Sequence, residues 1–173
     1  GANGSRARHV RIVTSHMAPK EYVHAQQSSL FCLCPQGHAV WSPRLVESLL
    51  NGCIPVVLAD AYWLPFACLF DWRRFAVLVP EADAAQVPAL LEAIPPARVD
   101  AMHRELMRVR PYFAWGHGRT VLDDAHVDAF DVLMLEAYAK TQLCPRAAEI
   151  GRGNVSSNLI VHDEMRVHRL SHL

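Results

Sequence analysis

An arginine and a glutamate three residues apart are the side chains of this sequence best suited to bind a charged ligand. Arg44 follows Ser42 and Pro43, which favour the start of a helix, and Glu47 and Ser48 continue its polar face. A guanidinium can bind two phosphate oxygens at once, and a carboxylate can accept hydrogen bonds from two adjacent ribose hydroxyls. The pair therefore suits a nucleotide diphosphate, although the same spacing is typical of a surface salt bridge that binds nothing.

The loop before this helix supplies further groups to the predicted site. Gly37 allows a ligand to approach the backbone closely, and the free N–H groups at a helix start favour an anion. His38 in the same loop either contacts the ligand or is exposed without a role. Asp60 ends a later strand at the same sheet edge, where it is either a ligand contact or a turn former. The sequence contains no glycine motif of a dinucleotide fold or P-loop, and no nucleophile elbow.

Alternating strands and helices are predicted to position these side chains. Continuous apolar runs, as in buried parallel strands, predict strands at residues 30–34, 53–59 and 75–79. Three- and four-residue apolar spacing and end signals such as Gly52 predict helices at 20–29, 42–51, 83–94, from 95, and from about 124. The helix from residue 95 is expected to bury Val99, Met102, Leu106 and Val109. The helix from about residue 124 is expected to bury Val127, Phe130, Met134 and Ala137. This alternation predicts a doubly wound α/β fold with a parallel sheet, which binds ligands beyond its strand ends.

Composition limits the function classes. The chain has 173 residues, of which 51% are hydrophobic, with 17 basic and 17 acidic side chains, as expected of an ordinary globular domain. Without net charge or a Lys/Arg block it lacks the basic face that nucleic acids and anionic membranes require. No apolar stretch approaches the roughly 20 residues that span a bilayer. The five cysteines lack the paired spacing of zinc sites, so no metal is predicted.

The sequence divides into a ligand-binding domain, residues 1–144, and a loosely attached tail, residues 145–173. The tail breaks the periodic pattern with glycine, asparagine and serine, and then carries histidines without apolar periodicity. These histidines either bind a metal or are scattered surface groups.

One stretch of the sequence resembles a known enzyme family. The segments FCLCPQGHAVWSPRLVE, GCIPVVLAD and LPF, followed by DWRRFAVLVPEAD, closely resemble the exostosin-like glycosyltransferases, family 47 of the glycosyltransferases. They are most similar to the plant-type branch related to the xylan xylosyltransferases. The resemblance implies a GT-B fold, with two Rossmann-like halves facing a cleft. This chain corresponds to the C-terminal, donor-binding half and is expected to be inactive without the N-terminal half.

The resemblance implies an inverting enzyme that transfers sugar from a UDP-sugar to a polysaccharide or glycan acceptor, without a metal or other cofactor. It assigns Arg44 to the diphosphate, Glu47 to the ribose, and Gly37, His38 and Ser42 to the rest of the donor. The catalytic base is expected from the N-terminal half, so none is named here. His38 departs from the large residue common in relatives, which leaves xylose, galactose, arabinose and glucuronic acid open as donor sugars. A non-catalytic partner subunit of a glycan synthase complex is the alternative function.

The resemblance also implies a Golgi membrane protein with this domain in the lumen, held by an N-terminal anchor outside this sequence. In that oxidising compartment Cys32 and Cys53, predicted in neighbouring strands and also present in animal relatives, are expected to form a disulfide. Two buried free thiols are the alternative. Sequons at Asn3 and Asn154 are candidate glycosylation sites. A homo- or hetero-oligomer is a candidate assembly, and the sequence does not determine the oligomeric state.

Overall fold

A computed structural model describes residues 13, 17–37, 41–60, 62–116 and 127–142 of the chain, without the side chains of residues 140–142. Short 3₁₀ turns at Trp72–Arg74, Glu81–Gln86 and Arg110–Phe113 connect the main elements. Those elements are α1 (Pro19–Gln27), β1 (Phe31–Pro35), α2 (Arg44–Leu50), β2 (Ile54–Leu58), β3 (Val77–Val79), α3 (Val87–Ala93), α4 (Pro96–Val109) and α5 (Ala129–Gln142). The predicted tail, both sequons and His38 lie outside the described residues.

The described strands form one parallel sheet in the order β1-β2-β3. Leu33 of β1 lies opposite Val56 of β2, and Val57 lies opposite Leu78 of β3. Helix α2 connects the first two strands, as a parallel crossover requires. The predicted α/β fold with a parallel sheet and flanking helices is therefore confirmed.

Apolar cores lie on both faces of the sheet. Val57 belongs to the larger core with Leu49 and Leu106, whereas its neighbour Val56 packs with Val79 and Val87 on α3. Successive side chains of a strand point to opposite faces, so β2 contributes to both cores. Helix α4 buries the four residues predicted for it, Val99, Met102, Leu106 and Val109. Complete burial of one such aliphatic side chain stabilises the fold by roughly 1.5–3 kcal/mol.

Strand β1 is less buried than its apolar sequence predicts. Leu30, just before the strand, is 52% exposed and Leu33 is 50% exposed, whereas β2 buries Ile54 and the next three residues. Within the described sheet β1 pairs with β2 alone and so lies at the edge. The prediction of a strand buried on both faces was wrong for β1, because burial depends on neighbours that an apolar run does not reveal.

Helix α5 presents a different face to the core from the one predicted. Val127, just before the helix, and Phe130 and Met134 are exposed, and Ala137 is exposed too. The buried residues are instead Ala129, Val132, Glu136 and Ala139. Apolar side chains occur on both sides of this helix at three- and four-residue spacing, so periodicity alone selected the wrong side.

The segment between β2 and β3 is anchored by an aromatic cluster. Leu64 and Phe66 of the LPF motif are buried, and the Phe66 ring lies 5.2 Å from that of Phe113 between ring centroids. Phe66 has a φ of 56°, a left-handed conformation that is rare for a bulky residue. The Trp72 indole N–H donates to the Pro65 carbonyl at 2.8 Å. The LPF motif is therefore part of the core that supports the loop after β2.

None of the helices within the described ranges combines the length and apolar character needed to cross a bilayer.

Candidate functional site

Helix α2, which carries Arg44 and Glu47, connects β1 to β2 and is held by the backbone on either side and by one disulfide. Gly52 follows the helix with a φ of 77°, the left-handed conformation that commonly ends helices and that glycine adopts without strain. A disulfide joins Cys32 in β1 to Cys53 just before β2, with the two Cα atoms 5.8 Å apart. This is the pair that the family resemblance implied. The backbone on both sides of α2 is therefore covalently linked.

The start of α2 differs from the predicted capping arrangement. The helix begins at Arg44 with Pro43 at the N-cap position, and no side chain caps it. The backbone N–H of Ser42 donates to the hydroxyl oxygen of Tyr62 at 3.2 Å, and Ser42 is buried. Burial raises the pKa of Tyr62, which favours the neutral phenol. The Ser42 N–H predicted to be free is thus already bonded, because a buried tyrosine hydroxyl needs a partner.

Arg44 and Glu47 do not form the surface salt bridge that their spacing also allowed. Arg44 is exposed, and its guanidinium makes no hydrogen bond or ion pair with any residue that the structure describes. Glu47 is half-buried, and its Oε2 accepts a hydrogen bond from the Tyr22 hydroxyl at 2.9 Å. The arginine charge therefore remains available to an anionic ligand.

Arg44 and Glu47 both affect the pKa of the Tyr22 hydroxyl. The pKa of Tyr22 is raised to about 12, mainly by burial and then by its hydrogen bond to Glu47, while Arg44 lowers it. Tyr22 accepts a hydrogen bond from Gln26 Nε2 at 2.9 Å, and Gln26 Oε1 accepts one from Asn51 Nδ2 at 2.6 Å. Sequence reasoning missed this connection. The four-residue spacing of Tyr22 and Gln26 shows that they share a helix face, but nothing local identifies their partners on α2.

A second small polar cluster lies beneath the site. Ser48 is fully buried rather than on the predicted polar face; its hydroxyl donates to the Arg44 carbonyl at 2.6 Å and lies 3.4 Å from Cys34 Sγ. Cys34 is a buried free thiol, and burial raises its pKa to about 11. Ser48 satisfies its hydroxyl within its own helix, which explains why a serine can occupy a core position. Cys34 stays a neutral thiol at physiological pH.

The other predicted site residues are only partly placed. Gly37 is exposed just after β1, at the carboxyl end of that strand. His38 lies outside the described residues, so its two possible roles stay open. Asp60 accepts a hydrogen bond from the backbone N–H of Glu81 at 3.4 Å, which links the ends of β2 and β3. The two possible roles of Asp60, ligand contact and turn former, both stay open.

Neither of two shallow hollows on the surface coincides with the candidate site. One of about 320 Å³ is lined by Pro19, Val23 and other residues of α1, and one of about 280 Å³ by Leu30 and residues of α4. Arg44, which is exposed, and Glu47, which is half-buried, lie outside both hollows. Within the described ranges, no three acidic, histidine or cysteine side chains lie together as a group that could hold a metal ion.

Comparison with known families accounts for these motifs. The model of the exostosin GT47 domain matches residues 2–94, more than half of the chain. This chain belongs to the exostosin GT47 family. The match includes β1, α2, β2 and β3 together with Tyr22 on α1. The resemblance identified from the sequence motifs is confirmed, and the whole candidate site lies within the family domain.

Plant glycosyltransferases are among the similar proteins. A probable glucuronosyltransferase of Oryza sativa subsp. japonica, GUT1, is 48% identical over 84 residues, which cover 49% of this chain and 20% of that protein. A probable β-1,4-xylosyltransferase of Arabidopsis thaliana, IRX10L, is 47% identical over 85 residues, with the same coverage. A probable glycosyltransferase of Arabidopsis thaliana is 38% identical over 92 residues, 53% of this chain and 18% of that protein. The chain thus matches about one fifth of each relative's length and is similar to the plant-type branch.

Proposed function

We propose that this chain forms the donor-binding part of an inverting GT-B glycosyltransferase that transfers a sugar from a UDP-sugar to a polysaccharide or glycan. One observation carries the proposal. Arg44 is exposed and lies one helical turn from Glu47, and among the described residues nothing pairs with Arg44 or donates a hydrogen bond to Glu47 Oε1. Relatives with nearly half of the matched positions identical are named as glucuronosyl- and xylosyltransferases, which supports this use of the site.

In this proposal each group contacts a different part of the donor. Arg44 binds the diphosphate, and Glu47 accepts hydrogen bonds from the ribose hydroxyls. Gly37, His38 and Ser42 border the remainder of the nucleotide sugar. The side of α2 that carries the exposed Arg44 forms one wall of a cleft whose other wall is the N-terminal half of the GT-B enzyme.

Charge stabilisation is the chemical task of this wall. The anomeric carbon gains oxocarbenium character as UDP leaves, so negative charge grows on the diphosphate. The Arg44 guanidinium stabilises that charge in the transition state, which accelerates departure without a metal ion. A carboxylate from the N-terminal half removes the proton of the acceptor hydroxyl as it attacks.

We further propose that the enzyme works in the Golgi lumen, anchored to the membrane. The Cys32–Cys53 disulfide is compatible with that location, since disulfides persist in oxidising compartments.

A thermal-shift titration of the full-length protein with UDP and several UDP-sugars tests the proposal. A ligand at about 100 times its dissociation constant adds about 2.7 kcal/mol of stability. We expect UDP to stabilise the wild type and to stabilise Arg44→Ala and Glu47→Ala much less. Arg108→Ala on α4 is the matched control and is expected to respond like the wild type.

Equal shifts in the wild type and both α2 variants would contradict the site assignment. No shift in any protein, even with acceptor present, would favour the non-catalytic partner subunit instead.

A further inference from the structure

A series of hydrogen bonds connects α1 to α2 at two points, the middle of α2 and the residue that follows it. It begins at Asn51, which follows α2 and donates to Gln26 on α1, and continues from Gln26 to the Tyr22 hydroxyl oxygen. It ends where Tyr22 donates to Glu47 Oε2, one turn before Asn51 on the α2 side. The series of hydrogen bonds therefore begins and ends at residues of α2 or its C-terminal end, and the two side chains between them belong to α1.

The direction of these bonds determines the orientation of the Tyr22 proton. Because the phenol oxygen accepts from Gln26, its single proton is directed to the Glu47 carboxylate. Gln26 is only 7% exposed, so water has little access to replace it. Hydrogen bonds in such a series polarise one another, which strengthens the last bond to the carboxylate.

The Glu47 carboxylate is consequently held at one oxygen and open at the other. Oε2 is occupied by Tyr22, whereas Oε1 receives no hydrogen bond from the described residues. A flexible glutamate loses rotamer freedom when it binds a ligand, and a side chain that is already held avoids most of that cost.

We propose that Tyr22 is a positioning residue that holds Glu47 so that Oε1 meets the ribose hydroxyls of the donor nucleotide. This inference rests on the proposed function, in which Glu47 contacts the ribose. If the Tyr22–Glu47 bond only attached α1 to α2, its removal would change stability and leave ribose recognition intact. A measurement of ribose recognition separates the two roles.

The test compares UDP with 2′,3′-dideoxy-UDP, which lacks the hydroxyls that Glu47 is proposed to bind. Isothermal titration of the full-length protein gives the ratio of the two affinities. We expect Tyr22→Phe to weaken UDP binding about tenfold, as for the loss of one hydrogen bond to a charged group, and to leave dideoxy-UDP binding unchanged. Tyr112→Phe is the matched control, because Tyr112 stacks on Phe70 at 5.6 Å in the aromatic cluster, and both of its affinities should equal those of the wild type.

Glu47→Ala distinguishes failure of this inference from failure of the proposed function. If the wild type binds both nucleotides equally, or Glu47→Ala keeps the wild-type affinity ratio, the ribose contact itself is wrong. If Glu47→Ala abolishes the preference for UDP and a folded Tyr22→Phe keeps it, the positioning role of Tyr22 is overturned.

Asn51→Ala supplies a second variant that leaves Tyr22 and Glu47 in place. It removes the first donor of the series, and we expect the affinity ratio to fall less than it does in Tyr22→Phe. Should Tyr22→Phe fail to fold, Asn51→Ala decides the question, since an unchanged ratio overturns the proposal and a lowered ratio supports it.

Discussion

Two helices of this protein carry an arginine and a glutamate three residues apart, and the two pairs are used differently. In α4, Arg108 donates two hydrogen bonds to the Glu105 carboxylate, at 3.0 and 2.7 Å. In α2 no ion pair joins Arg44 to Glu47, and Tyr22 binds the glutamate instead. The same spacing thus gives a closed pair on α4 and an open pair on α2.

The order of the charges and their neighbours explain the difference. Glu105 precedes Arg108, the order that the helix dipole favours, and Arg74 lies 3.7 Å from the same carboxylate. On α2 the arginine comes first, in the first turn of the helix, where the dipole disfavours a positive charge. Spacing alone therefore cannot distinguish a structural ion pair from a ligand site, and the partners of each group decide.

The two pairs should differ most in how strongly replacement of their arginine lowers the rate of sugar transfer. If Arg44 stabilises the leaving diphosphate, Arg44→Ala should lower kcat by roughly 10²–10³-fold, as for removal of one oxyanion donor. Steady-state transfer from a UDP-sugar by the full-length enzyme measures it. Arg108→Ala should keep the wild-type kcat, and an equal loss in both variants would contradict the assignment of different roles.

The Cys32–Cys53 disulfide closes the chain around α2. The two cysteines are 21 positions apart, and the whole of α2 lies between them. A double Cys→Ser variant should lose about 3 kcal/mol of unfolding free energy, because the unfolded chain regains the entropy of that loop. Denaturant unfolding measures the loss. A transition at the wild-type midpoint would show that the link contributes nothing to stability.

The two arginines should also differ in their effect on stability. Arg108→Ala breaks a surface ion pair and should lower the free energy of unfolding by about 0.5 kcal/mol. Arg44→Ala removes a side chain without a partner among the described residues, and one that the helix dipole disfavours, so the free energy of unfolding should not fall. Parallel urea titrations compare the variants. A larger loss at Arg44 would mean that it supports the fold.

The smallest expected effect is that acid removes the stability contributed by the Glu105–Arg108 ion pair. The hydrogen bond from Arg108 holds the pKa of Glu105 below its usual value of 4.5. The folded state therefore binds this proton more weakly than the unfolded state, so the pair stabilises the protein above pH 4.5 and loses its effect as the pH falls further. The stability difference between wild type and Arg108→Ala should shrink below pH 4.5. A difference that stays constant down to pH 3 would contradict the ion-pair role of Glu105.

Local sequence patterns predict much of this fold and the position of the candidate site in the chain. Apolar spacing correctly predicts the buried face of α4, since its other side is polar. Gly52 marks the end of α2 because few other residues adopt its positive φ. The run from Arg44 to Glu47 also carries the family resemblance, so the position of the candidate site follows from residues adjacent in the chain.

Contacts between residues distant in the chain decide the rest. Helix α5 is apolar on two sides, and its neighbours determine that Val132 is buried and Met134 exposed. The bond between Tyr22 and Glu47 joins residues 25 positions apart, and that between Ser42 and Tyr62 joins residues 20 apart. Spacing along one element predicts which side chains share a face. Only the packing of α1 and of the loop after β2 against α2 determines what that face meets, and hence which of its polar groups stay available to a ligand.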